Sequence, residues 1–216
     1  MVVYKLEKTG NAIFYSHHDF MRLFLLCLKR AGVVNKNDET PKVYFSIPTH
    51  IGCESRCEYV EMDLDARAHI LAENLKTYLP EGVNIVGEYN IKNKIGISKI
   101  INLVKYKVNL SNFEAYQKKI ANLLNSEDFK IELKMNNIIS SCIVKDSIYK
   151  HYFENGNLII FANVGETNLN IVQTMFQIFK KLNIENTNIV IEKVNQFSKI
   201  DSKYYDLELL ILKNAK

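Results

Sequence analysis

The sequence predicts an α+β protein: two tandem ferredoxin-like (βαββαβ) units, antiparallel sheets with helices on one face. Three observations lead there. Residues 1–92 alternate between stretches with a two-residue apolar period and stretches with a helical period, in the order β-α-β-β-α-β. After a lysine-rich stretch around Gly96 the same order of elements returns, without any repeat of the sequence itself. With 216 residues, 47% hydrophobic and 24% charged, the chain has enough apolar surface for a real core. The expected division is an N-terminal domain over 1–95 and a C-terminal domain over 100–216.

The first strand is expected over residues 2–8, with "AIFYS" extending or following it after the Thr9-Gly10-Asn11 turn. A helix is expected from about 17 to 31. Phe20, Met21, Leu23, Phe24, Leu25, Leu26, Cys27, Leu28 and Ala31 form its wide apolar stripe, and Gly32 ends it. "KVYFSIP" and "EYVEMDLD" alternate as a strand pair joined through "THIGCESRC". A second helix is expected to start at Asp65, an N-cap residue, with Ala68, Leu71, Ala72, Leu75 and Leu79 on one face. Pro80 and Gly82 stop it before the strand "VNIVGEYNI". These four strands are expected to form one antiparallel sheet with both helices on one face.

"KNKIGISKIIN" is the expected linker. Beyond it, "LVKYKVNL" reads as a strand, and Ser111 with Glu114 as a capping box opening a helix lined by Phe113, Tyr116, Ile120, Leu123 and Leu124. Strand-like segments follow at 129–135, 138–153 and 157–164. A helix near 168–182 is expected to bury Leu169, Val172, Met175, Phe176, Phe179 and Leu182. "NIVIEKVNQF" reads as a strand and "YDLELLIL" as a last strand or strand-like tail.

Lys and Arg number 28 against 24 Asp and Glu, a net charge of +4 that permits an anionic partner without demanding one. No signal pattern opens the chain and no apolar run approaches ~20 residues. The expected setting is therefore cytoplasmic and reducing, with free thiols and no membrane contact. There is no phosphate-binding G-x-x-x-x-G-K-[ST] loop, no G-x-G-x-x-G turn and no H-E-x-x-H helix. These absences leave nucleotide-hydrolysing and zinc-protease readings unsupported. No cofactor is expected.

The chemistry-bearing residues concentrate in "FYSHHDFMRLFLLCLKRAG", residues 14–32. Ser16 suits the N-cap of the helix, and Asp19 can reach back to it, completing a capping box. His18 and Arg22 lie one turn apart, with Lys29 two turns beyond, making a basic stripe. A helix start with a nearby cation suits phosphate, and a histidine there could act as a general acid or base. Capping and packing are the commoner roles of such residues. Cys53 and Cys57 supply only two ligands, and His50 a third, short of a structural zinc set, so no metal site is expected. Tyr44, Tyr59 and Tyr106 lie on strands and could face bases or the core.

The stretches "KTGNAIFYSHHDFMRLFLLCLKRAGV" and "FSIPTHIGCESRCEYVEMDL" resemble the bacterial family of uncharacterised proteins linked to radical SAM proteins. The resemblance runs over roughly residues 5–65. It rests on Lys8, Gly10, Phe14, Ser16, His17, Asp19, Met21, Arg22, Arg30, Ala31, Gly32, Gly52, Glu54, Ser55, Glu58 and Tyr59. His18, Cys53 and Cys57 fall on no motif position. The family's Gly- and His-containing loop before the third strand is replaced here by "NKNDETPKVYF", with Pro41 kept, so any ligand of that loop is in doubt. The resemblance implies a radical SAM protein as partner. The function expected is a non-catalytic accessory module for that enzyme, with RNA (tRNA) as the further partner. Its binding residues are expected among Ser16, His17, Asp19, Arg22, Lys29, Arg30, Glu54 and Ser55. One alternative is a metal-independent RNA-processing ribonuclease using His17 as catalytic residue; another is a protein-interaction scaffold.

Overall fold

The computed structural model describes residues 1–33, 39–64, 73–110, 113–135, 138–165, 169–184 and 189–215. The start of the second helix at Asp65, the Ser111 cap and most of the altered loop before Pro41 lie outside these. The protein is α+β. Nine strands hydrogen-bond into one sheet, and β6 (Lys130–Met135) with β7 (Ile138–Ile143) makes a separate hairpin. The chain divides into two compact units, residues 1–101 with 197–216, and residues 102–196.

In the first unit the elements run β1 (Val2–Lys8), α1 (His17–Arg30), β2 (Val43–Phe45), β3 (Glu54–Met62), α2 (73–78) and β4 (Val83–Asn90). This is the element order expected for residues 1–92. β1 lies between β3 and β4, antiparallel to both, and β2 pairs with the far end of β3. Val2, Tyr4 and Leu6 alternate toward the helices and meet Val60 and Met62 across the β1–β3 pairing. Phe20, Phe24, Cys27 and Leu28, at helical spacing, close the core from above. Gly32, at φ +68, ends α1 as expected, with its N–H on the Lys29 carbonyl.

Several expectations are corrected here. "AIFYS" does not extend β1; Gly10–Phe14 is a 3-10 turn. "YDLELLIL" is not a strand tail. After the short strand β11 (Lys203–Asp206), Leu207–Lys213 is a helix, α6. Asp206 caps it by accepting the N–H groups of Glu208 and Leu209, and Leu207 and Ile211 are buried one turn apart. The apolar run Leu209-Leu210-Ile211-Leu212 fits either period, so the cap decides. α6 also changes the layering: Glu208 takes Lys5 of β1 and Tyr89 of β4, on the face away from α1. The helices are therefore not confined to one face.

The expected linker is also structured. Gly96, at φ +73, opens a short helix, α3 (Ile97–Ile100), and Ile97 is fully buried. The carboxylate of Glu61, itself fully buried on β3, accepts the N–H groups of Ile95, Gly96 and Ile97. Three successive amides around one carboxylate form an anion nest supplied from within the chain.

In the second unit β5 (Ile101–Asn109), β9 (Asn157–Asn163) and β8 (Ile148–Glu154) are antiparallel neighbours. Val104, Tyr106 and Val108 oppose Ala162, Ile160 and Leu158 as buried pairs. The run 138–153 is not continuous, since a 3-10 turn at Lys145–Ser147 separates β7 from β8. α4 (Gln117–Leu124) buries Ile120 and Leu124. α5 (Ile171–Lys181), capped by Asn170, buries Ile171, Met175, Ile178 and Phe179, with Phe179 beside Phe113. Phe176, expected inside, is 65% exposed.

Two tandem ferredoxin-like units are not evident. In the second unit β6 and β7 pair with each other as a separate hairpin and do not join the sheet of β5, β9 and β8. Periodicity marks where strands are; it carries no information on which strands pair.

Candidate functional site

Of the residues singled out in the sequence, Ser16, His17 and Asp19 meet at the start of α1; Arg22 lies a turn further along it, Lys29 and Arg30 in its last turn, and Glu54 and Ser55 on β3. Ser16 is extended at φ −63 and ψ 162, and its Oγ accepts the Asp19 N–H at 3.2 Å. The same hydroxyl donates to Asp19 Oδ2 at 2.5 Å. The expected cap is present, with the hydroxyl rather than the Ser16 backbone N–H meeting the carboxylate. Asp19 also sits favourably at the positive end of the helix. His17 is half-buried with its ring edge-on to Phe45 of β2, centroids 5.8 Å apart at 87°. Phe45 takes Phe20 and Phe24 of α1 in the same manner, at 5.8 and 5.6 Å. Three side chains of α1 thus seat β2 under the helix, and His17 is one of them.

The outer side of α1 is different. His18, Arg22, Leu26, Lys29 and Arg30 are all exposed, and their spacing places them in one line along the helix. Leu26, expected in the core stripe, is 45% exposed within this line. The 3-10 turn before α1 and the turn before β3 are tied by the Gly52 N–H on the Ile13 carbonyl, at 3.0 Å. Phe14 and Ile51, on these two turns, are 66% and 55% exposed. Gly10 at φ +53 and Gly52 at φ +83 give the turns left-handed backbone that side chains resist.

Beneath the helix start lies a buried polar group, Lys8, Ser55 and Glu58, whose three residues all fall on positions of the resemblance. Lys8 ends β1 opposite Ser55 of β3, and a bulge between Leu6 and Lys8 precedes it. Lys8 and Glu58 are each only 3% exposed, and Ser55 is fully buried. Lys8 Nζ lies 3.5 Å from the Tyr15 carbonyl oxygen and 5.9 Å from the centre of the Phe20 ring. Thr49 donates to the Glu58 carboxylate, and the Ser55 hydroxyl accepts the Cys57 N–H at 3.3 Å. A buried lysine and a buried glutamate on neighbouring strands need satisfied partners, and their cost in isolation is large. The signal available in sequence was alternation: Lys8 and Glu58 occupy inward positions of strands that are otherwise apolar.

Of the remaining candidates, Glu54 is half-exposed, and Arg56 reaches Glu7 at 3.3 Å. Cys53 and Cys57 are buried and outside any disulfide, as are Cys27 and Cys142. Among the described residues no three His, Cys, Asp or Glu side chains are grouped to hold a metal ion. Tyr59 and Tyr106 are buried, which leaves Tyr44, half-buried with Lys94 Nζ 3.4 Å from its ring centre. Burial pushes the Tyr59 hydroxyl far above the ordinary phenol range, reinforced by nearby Cys57 and Glu208. No helix of the described residues is long and apolar enough to cross a membrane.

A model of the family described as an uncharacterised protein conserved in bacteria (DUF2344) matches residues 2–174. The chain belongs to this family. Its matched segment contains the whole α1 start, the Lys8–Ser55–Glu58 group and the Glu61 nest, while β10 (Ile191–Ile200), β11 and α6 lie beyond it. No curated protein matches the DUF2344 chain.

Proposed function

We propose that this DUF2344 protein is a non-catalytic binding module that acts beside a radical SAM enzyme and presents RNA to it. The observation that carries the reading is the division of labour on α1. Ser16, Asp19 and His17 hold the helix start, and His18, Arg22, Lys29 and Arg30 stand in solvent along one line. Arg22, Lys29 and Arg30, exposed at helical spacing, suit a row of phosphates, and Phe14 on the turn before the helix is an exposed apolar side chain. The radical SAM partner rests on the resemblance over residues 5–65. tRNA is the substrate class through which these two properties meet.

The test is co-purification with a radical SAM protein encoded beside it, together with tRNA binding measured at rising salt. The reading expects a stable complex and binding that weakens steeply between 50 and 200 mM salt, by about ten-fold or more for several phosphate contacts. tRNA shortened by the wild type but left intact by His17→Ala would replace it with a hydrolytic role for His17. A complex with the enzyme but no tRNA binding at any salt would leave a scaffold.

A further inference from the structure

Within the second unit, α5 and the strand β6 face each other across an open cleft of about 700 Å³. Phe176 lines it and is 65% exposed, whereas Phe179 on the same helix is 2% exposed in the core. Gln173 and Gln177 flank Phe176 on the same side of α5, three residues before and one after. Lys180 follows one turn on, and Lys130 comes from β6 opposite. Among the described residues neither lysine enters an ion pair. Lys181 lies over the Phe129 ring at 5.3 Å, and both residues line the cleft.

We propose that this cleft binds an unpaired nucleotide of an RNA strand, with Phe176 stacking on the base. An aromatic face left in water contributes nothing to its own core and offers a stacking platform to any base. The two glutamine amides each carry a donor and an acceptor, the pair needed to read a base edge. Lys130 and Lys180 then meet the flanking phosphates from either wall. Lysines outnumber the acids Asp128 and Glu132 in the lining, so the charge favours an anion. The volume falls in the range of small-ligand sites, about 300–1,000 Å³. The inference rests on the RNA part of the proposed function and adds a second contact to it, on a different unit.

The experiment titrates the full chain with a fluorescent single-stranded oligoadenylate, and with tRNA, for the wild type, Phe176→Ala, Phe176→Tyr, Lys180→Ala and Arg22→Ala. Because Phe176 is exposed, its variants should melt with the wild type. Phe176→Ala should weaken oligoadenylate binding about ten-fold, and Phe176→Tyr should restore it. Lys180→Ala should lower the slope of log affinity against log salt by roughly 0.7. Equal affinity of Phe176→Ala and the wild type overturns the inference. If Arg22→Ala then still weakens tRNA binding, the α1 reading survives alone; if only the cleft variants weaken it, the α1 reading falls and the cleft stands. Unchanged RNA binding with loss of the protein partner in Phe176→Ala overturns the nucleotide and assigns the cleft to that partner.

Discussion

Replacing Glu61 by Gln tests the nest that orders the segment before β5. In the folded chain one carboxylate oxygen takes the Gly96 N–H at 2.9 Å and the Ile97 N–H at 3.2 Å, and the other takes Ile95. Glutamine keeps one oxygen and turns an N–H₂ donor toward another donor. At least one charge-assisted bond is lost, the remainder become neutral, and a buried N–H is left unsatisfied. Hydrogen bonds to charged groups contribute roughly 1.5–3 kcal/mol each, so the substitution should cost about 3 kcal/mol. For a chain of this size that corresponds to a fall in Tm of roughly 6–12 °C. Thermal melts followed by far-UV circular dichroism, with urea titration alongside, read it directly. A Tm within about 2 °C of the wild type would refute the argument, because it would mean the three amides find equivalent acceptors without the charge.

Further outcomes follow from the same structure. A Cβ on Gly82 would sit 2.2 Å from the Thr9 carbonyl oxygen at φ +84, so Gly82→Ala should destabilise by roughly 2–3 kcal/mol. Gly96→Ala, at φ +73 with nothing within 4 Å, should cost only about 1 kcal/mol in the same urea titration. For Glu208, burial alone would raise the carboxyl, but hydrogen bonds from Lys5 and Tyr89 outweigh it and hold the group below its ordinary 4.5. Its contribution is therefore full above that value and is lost as the pH falls through the folded one. Lys5→Ala should flatten the acid limb of the stability profile below about pH 4.5, leaving the neutral limb parallel to the wild type.

Much of the first unit was legible because local chemistry and burial agree there. The Ser16 cap, the Phe20, Phe24 and Leu28 spacing and Gly32 all point to the same helix, and the helix is found over His17–Arg30. Where two periods fit one run, as in Leu207–Leu212, the sequence left the choice open, and Asp206 made it through backbone contacts. Strand partners were not legible: β6 and β7 read as strands, yet nothing in their alternation says that they form a hairpin of their own. The site was legible in part. Ser16 and Asp19 were placed by capping rules, whereas the roles of His17, Lys8 and Glu58 depend on which face each strand presents. Phe176 fits a helical stripe by spacing alone, and only the folded packing places it outside.

The central claim is that the exposed line of α1 is an anion-binding surface. Its most direct test is the salt dependence of tRNA binding for the wild type against the Arg22→Ala/Lys29→Ala double variant, both sites being exposed. The account predicts weaker binding and a slope shallower by roughly 1.5, since each of the two cations would neutralise one phosphate in the wild type. Identical slopes and affinities for the two proteins would contradict it.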